Sequence, residues 1–157
     1  MEVLWGAWVR RLVFSEHDEL INIEGIYDVI SKKVKADFPF LVDLQVVLAF
    51  KKYRAEEGRN FEISLEMRDM DGLTIISDNT TITVPEADNK VWYEGYEFKA
   101  VEITRPGYYE LWVLVSGEQR QTVGLWVTAP KTTVYDPERD ITTELWSEDY
   151  RDWRNDP

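Results

Sequence analysis

Residues 105–128 read RPGYYELWVLVSGEQRQTVGLWVT, and this stretch decides the fold. Pro106 and Gly107 do not belong in a central strand and mark a turn. Beyond them Tyr109, Leu111, Val113 and Val115 recur with period two, the pattern of one face of a strand. Gly117, Glu118 and Gln119 turn the chain, and Val123, Leu125 and Val127 repeat the pattern. Pairing residue 116 with 120 puts both apolar rows on one face and predicts a register. The stretch is therefore a hairpin, of the kind that closes a β-sandwich.

Working outward, the chain before it is also written in strands. A first strand is expected from Val3 to Phe14, then a polar turn over Ser15–Glu19. A second is expected from Leu20 to Ile30, with Gly25 as a bulge or close-approach point. Pro39 argues against regular structure just ahead of it. Val42, Leu44, Val46, Leu48 and Phe50 then alternate with Asp43, Gln45, Val47, Ala49 and Lys51, as in a half-buried strand. Phe61, Ile63, Leu65 and Met67 alternate with Glu62, Ser64, Glu66 and Arg68. Asp71-Gly72 predicts a hairpin with Met67 opposite Ile76. The partner strand, Leu73 to Val84, is interrupted by Ser77-Asp78-Asn79, where a bulge or sheet switch is expected. A long loop over Pro85–Gly95 precedes a strand from Tyr96 to Ile103. About eight strands with regular turn signals predict an all-β antiparallel β-sandwich over residues 1–128.

From Ala129 the composition changes. The extension 129–157 carries eight acidic against four basic residues, together with large apolar side chains. Asp140 and Thr142 are placed to cap a short helix, and Trp146, Tyr150 and Trp153 then fall at i, i+4 and i+7.

Composition narrows the function classes. The 157 residues carry a formal charge of −12, which opposes any general grip on nucleic acid or anionic lipid. There is no cysteine, so disulfides, thiolate catalysis and cysteine-held zinc are out. The apolar start, MEVLWGAWVRRLVF, has Glu2 ahead of it and Arg10 and Arg11 within it, unlike a signal peptide. A cytoplasmic protein without a membrane span is expected.

The order of motifs resembles an uncharacterised family of small bacterial β-sandwich proteins. The stretches that carry the likeness are INIEGIYD (21–28), DFPFLVDLQVVLAF (37–50), RDMDG (68–72) and RPGYYELWVLVSGE (105–118). It spans about Val3 to Val127, and the extension departs from it. The resemblance implies an immunoglobulin-like sandwich with no assigned activity or site residues.

Residue chemistry for catalysis is sparse. Ser15-Glu16-His17-Asp18 holds the only histidine, but neighbours in one turn rarely reach triad geometry. Asp69-Met70-Asp71-Gly72 begins like a calcium loop, yet continues into a strand rather than further ligands. Glu56-Glu57 with Glu86 and Asp88 lack any ligand spacing. No enzyme activity, catalytic residue, metal or cofactor is assigned.

Exposed aromatics are more informative. With Tyr109 and Leu111 inward, Tyr108, Trp112 and Leu114 face outward, as does Trp126 on the next strand. The predicted register sets Trp112 opposite Gly124 and Trp126 opposite Glu110, with the two indoles diagonal across Gly124. Such a patch either binds a partner or is covered by the chain itself. Leu145, Trp146, Tyr150 and Trp153 form a second handle with the same two readings. The first reading is a non-enzymatic adaptor or assembly subunit that binds another protein or its own copies through these residues. The alternatives are a carbohydrate-binding module, using Trp92, Tyr93 and Tyr96, and a structural subunit of a phage or other particle.

Overall fold

The computed structural model describes residues 1–17, 20–32, 38–129 and 131–146, with the backbone alone at 21, 131–134 and 143–146. Two sheets face each other. One joins β1 (Glu2–Val9), β5 (Phe40–Lys51) and β8 (Val91–Ile103) in the order β1-β5-β8. The other orders β4 (Val29–Ser31), β10 (Glu118–Thr128), β9 (Gly107–Val115), β6 (Asn60–Arg68) and β7 (Thr74–Thr83) as β4-β10-β9-β6-β7. Every ladder in them is antiparallel except β4 with β10. The protein is all-β, and no α-helix occurs among the described residues.

The core follows from the alternation. Leu44, Val46, Leu48 and Phe50 of β5 meet Ile63, Leu65 and Met67 of β6, Leu111 and Val113 of β9, and Leu125 of β10. Each is fully buried, and removing such a side chain from water stabilises the fold by roughly 1.5–3 kcal/mol. Strand β5 is covered on both faces in its second half, because Val47 and Ala49 are buried as well. The cover comes from a small hairpin of β2 (Arg11–Phe14) and β3 (Leu20–Glu24). A Cβ built at Gly95, opposite Val47, would stand 2.7 Å from Leu12 Cδ1, so the hairpin lies directly on this outer face.

Several expected boundaries shift. The first strand divides at Arg10, whose N–H donates to Glu24 O at 3.1 Å and so leaves the β1 ladder for the β2–β3 hairpin. The second divides at Gly25, where φ is +66° and the Arg10 stem passes within 2.9 Å of where a Cβ would sit. The long loop ends earlier than predicted, since β8 begins at Val91. Buried Lys52 holds that loop by donating to Pro85 O at 2.5 Å and to Ala87 O, while pairing with Glu57 at 3.1 Å. Strand β7 is unbroken at Ser77-Asp78-Asn79, which pair with Glu66, Leu65 and Ser64. It is the edge of its sheet, where polar side chains reach water without disturbing the ladder.

Both hairpin turns differ in detail from expectation. Met67 does stand opposite Ile76. The turn is one residue longer, with Gly72 N donating to Asp69 O at 3.0 Å, and a ladder irregularity at Met67/Arg68 absorbs the difference. Asp69 Oδ1 accepts from Asp71 N and Leu73 N, both at 2.9 Å, so this carboxylate builds the turn. The closing hairpin is tighter than predicted. Ser116 (φ 50°) and Gly117 (φ 85°) form a two-residue turn with both φ positive, pairing Val115 with Glu118. A bulge at Arg120 gives one residue back. The net slip is two residues, an even number, so every side chain keeps its predicted face but meets a different partner.

The extension begins with a hairpin of its own. β11 (Lys131–Asp136) and β12 (Ile141–Trp146) form a separate two-stranded antiparallel sheet. The predicted short helix is therefore corrected. Asp140 sits in the hairpin turn at φ 52° and accepts from Tyr135 Oη at 2.7 Å. Asp and Asn tolerate this left-handed conformation better than other side chains, which suits Asp140 to a turn.

Candidate aromatic groove

The observed register reassembles the outward face of β9 and β10. Trp126 stands opposite Tyr108, Gly124 opposite Glu110, and Trp112 opposite Thr122. The expected diagonal of two indoles across Gly124 is thus replaced. Tyr108, not tryptophan, covers the bare backbone: a Cβ at Gly124 would meet Tyr108 Cε2 at 2.8 Å. The Tyr108 and Trp126 rings pack at 4.8 Å between centroids with a 43° tilt, and Trp126 stays 51% exposed. Val29 pairs alongside Trp126 from β4, and Ile26 lines the same groove as Trp126. Both are exposed, so an apolar band crosses this end of the sheet.

Trp112 lies outside that band. Its ring carries the Arg68 guanidinium at 3.9 Å, and its indole N–H donates to Glu110 Oε2 at 3.0 Å. Arg68 in turn donates to Glu66 Oε2 at 2.6 Å. A polar cap therefore separates Trp112 from water, as a cation over an aromatic face favours. Leu114 is half-buried near the hairpin tip, opposite Gln119 and Ser64, away from Trp126. Leu145 and Trp146 end β12 and are described by backbone alone; Tyr150 and Trp153 lie outside the described residues. Residues 141–146 form a strand, so no helix starts at Asp140 or Thr142.

Residues that the sequence did not single out complete the site. A groove of ≈ 500 Å³ runs between the edges of β1 and β10, bounded by Gly6 and Trp8 on one side and by Thr122, Gly124 and Trp126 on the other. Ile26, Tyr27 and Asp28 close one end. Tyr27 N donates to Trp8 O at 3.0 Å, whereas Trp126 N donates to Asp28 O at 2.7 Å. The chain thus crosses from one sheet to the other within two residues. Burial pushes the Tyr27 phenol up from its ordinary range, offset in part by the Arg10 charge. The Trp8 indole N–H is buried and has no acceptor among the described residues. The signal for this region was the apolar run on both sides of Gly25, legible only as strand.

Other nominated chemistry does not converge. Trp92 faces inward and stacks on Phe50 at 5.2 Å, while Tyr93 faces outward and packs on Trp5 at 5.9 Å. Tyr96 is on the inward side, so the three aromatics form no common platform. His17 donates its backbone N–H to Ser15 Oγ at 3.2 Å, and Asp18 lies outside the described residues. Among the described residues no group of three acidic or histidine side chains is arranged to hold a metal ion. No helix of the described residues is long and apolar enough to cross a membrane.

Among solved structures, the chain is similar to a glycosyl hydrolase family 2 member from Bacteroides cellulosilyticus. The match has 8% identity and a TM-score of 0.40, covering 68% of this chain and 16% of that one. It is similar too to the alkylpurine DNA glycosylase AlkC of Pseudomonas fluorescens bound to DNA containing an abasic site analog. There the identity is 12% and the TM-score 0.39, covering 65% of this chain and 28% of that one. The chain thus spans under a third of either protein. No curated protein matches it. A family model does match residues 13–128, and the chain belongs to that family, a family of unknown function (DUF6941).

Proposed function

We propose that this protein is a non-enzymatic adaptor or assembly subunit that binds another protein through the Trp126–Tyr108 band and its groove. One observation carries the reading: a half-exposed tryptophan is fixed by an aromatic neighbour and flanked by exposed Val29 and Ile26. Rigid Trp and Tyr side chains lose little entropy on docking and are common interface anchors. The absence of cysteine and the acidic charge suit a cytoplasmic setting, where such a subunit would work.

The test uses the full chain with a photo-crosslinking side chain at position 126, and a control at the capped position 112. Solution mass is followed across protein concentration in parallel. Self-association lost in Trp126→Ala, or protein crosslinks specific to position 126, supports the reading. A monomer at every concentration, with no crosslink at 126 above the control, sinks it.

The finer fold is proposed as immunoglobulin-like. Supporting it, Tyr109 at the start of β9 donates its hydroxyl to Arg105 O, four residues upstream, at 2.6 Å, the geometry of a tyrosine corner. The parallel β4–β10 edge after a sheet switch is a second such feature.

A further inference from the structure

β10 is covered on its outer side by β4 only at Trp126, Val127 and Thr128. In that contact Trp126 N donates to Asp28 O and Lys32 N donates to Thr128 O, at 2.7 and 2.8 Å. The even-numbered residues of β10 therefore point their N–H and C=O groups away from β9. Continuing the alternation back from the turn bulge's far side, Gly124 and Thr122 present theirs to the groove. Thr122 N–H is met by its neighbour's side chain, Gln121 Oε1 at 3.0 Å, and Gln121 Nε2 reaches Leu4 O of β1 at 3.3 Å. An amide side chain thus stands where a strand would pair. No hydrogen bond to the outward groups of Gly124 is found among the described residues.

Resting on the protein-binding reading above, we infer that the partner is an extended, basic segment of another protein, added as a strand to the β10 edge at Gly124, where it displaces the Gln121 amide from Thr122 N–H. Main-chain pairing supplies affinity in this mode, and alternate side chains supply specificity. The segment lies in line with β4, in the space left free where residues 26–28 cross to β1. One of its apolar side chains packs on Trp126 and Tyr108. A lysine or arginine answers Asp28, which has no cation within ion-pair distance among the described residues and belongs to a chain of charge −12. The same net charge disfavours a second copy as the occupant, since like-charged chains repel.

The probe is an end-blocked pentapeptide alternating lysine and valine. It is compared with a form N-methylated at the lysine amides, another N-methylated at the valine amides, and a glutamate-for-lysine form. Binding and amide exchange are followed by NMR on the full chain, the Trp126→Ala variant and Thr122→Pro. Proline at 122 removes an edge-facing N–H and spares the β9 ladder. The basic probe should slow exchange at Gly124, bind about tenfold more weakly to Trp126→Ala, and lose binding in one N-methylated form and the acidic form. Probe that binds both N-methylated forms undiminished, or binds Thr122→Pro as well as wild type but not Trp126→Ala, overturns edge pairing while the aromatic surface stands. No binding at millimolar probe overturns the inference alone; the crosslinking test decides the surface separately. A dimer of the full chain abolished by Thr122→Pro assigns the edge to a second copy and overturns the foreign segment. Should Thr122→Pro not fold, the N-methylated pair decides.

Discussion

Trp126 and Tyr108 stand directly opposite each other on β10 and β9, with their rings 4.8 Å apart. They occupy a non-hydrogen-bonded site of the ladder, where opposed side chains approach most closely. The pairing exists because a tight turn at Ser116-Gly117 and a bulge at Arg120 together slide β10 by two residues. Gly124 completes it by leaving room for the Tyr108 ring.

Trp126→Ala and Trp112→Ala should separate binding from stability. The first removes one aromatic pair from a half-exposed position and is expected to cost about 0.5–1.5 kcal/mol. The second also strips the surface beneath Arg68 and orphans a Glu110 hydrogen bond, at a cost of about 2–3 kcal/mol. Urea unfolding of both variants measures the difference. A larger loss for Trp126→Ala would contradict the assignment of Trp126 as the free surface anchor.

Two buried phenols should respond oppositely to loss of the hydroxyl. Tyr109 donates to Arg105 O at 2.6 Å, so Tyr109→Phe is expected to destabilise by about 1–2 kcal/mol. Tyr96 Oη is buried with no partner among the described residues, so Tyr96→Phe should be neutral or mildly stabilising. Chemical denaturation of the two variants side by side checks the contrast.

Ser116 holds a left-handed φ of 50° in the closing turn. Asn is better suited to that position, and Asn-Gly is the preferred pair for a two-residue hairpin turn. Ser116→Asn should therefore stabilise the protein by roughly 0.5 kcal/mol, while Gly117→Val should cost about 1–2 kcal/mol. Thermal unfolding midpoints moving up for the first and down for the second would bear this out.

Burial raises the Glu94 carboxyl above its ordinary range, although the Trp92 indole donates to it at 3.1 Å and partly opposes the shift. A raised folded-state pKa means that the native state holds its proton more tightly than the unfolded chain. Stability from this group is then intact below the ordinary carboxylate pKa and is lost as pH rises through the raised one. Glu94→Gln should leave stability unchanged near pH 4 and increase it at pH 7, as read from denaturation midpoints at the two pH values. An equal effect at both would remove the protonation account.

The faces of the strands were written in the sequence, and their partners were not. Alternation placed Ile63, Leu65, Met67, Leu111 and Val113 inward, because period two is a property of the local backbone and burial selects on it directly. For the same reason Tyr108 and Trp126 were legible as outward. The register of the closing hairpin was not, because a slip by two residues preserves every face and leaves the pattern unchanged. Trp112 read as an anchor because nothing in its own strand reveals Arg68, which arrives from β6 to cap it. The extension misled for a related reason: Asp140 and Thr142 suit a helix cap on paper, but cross-strand pairing of residues 131–136 with 141–146 makes the same stretch a hairpin. Least visible was the groove. Residues 26–28 are a short run of apolar and polar side chains until the chain crosses from β10 to β1, and only that crossing leaves the main-chain edge at Gly124 without a paired strand. Local pattern determined what each strand buries; long-range pairing, which depends on where turns close and which edges meet, decided what the surface offers.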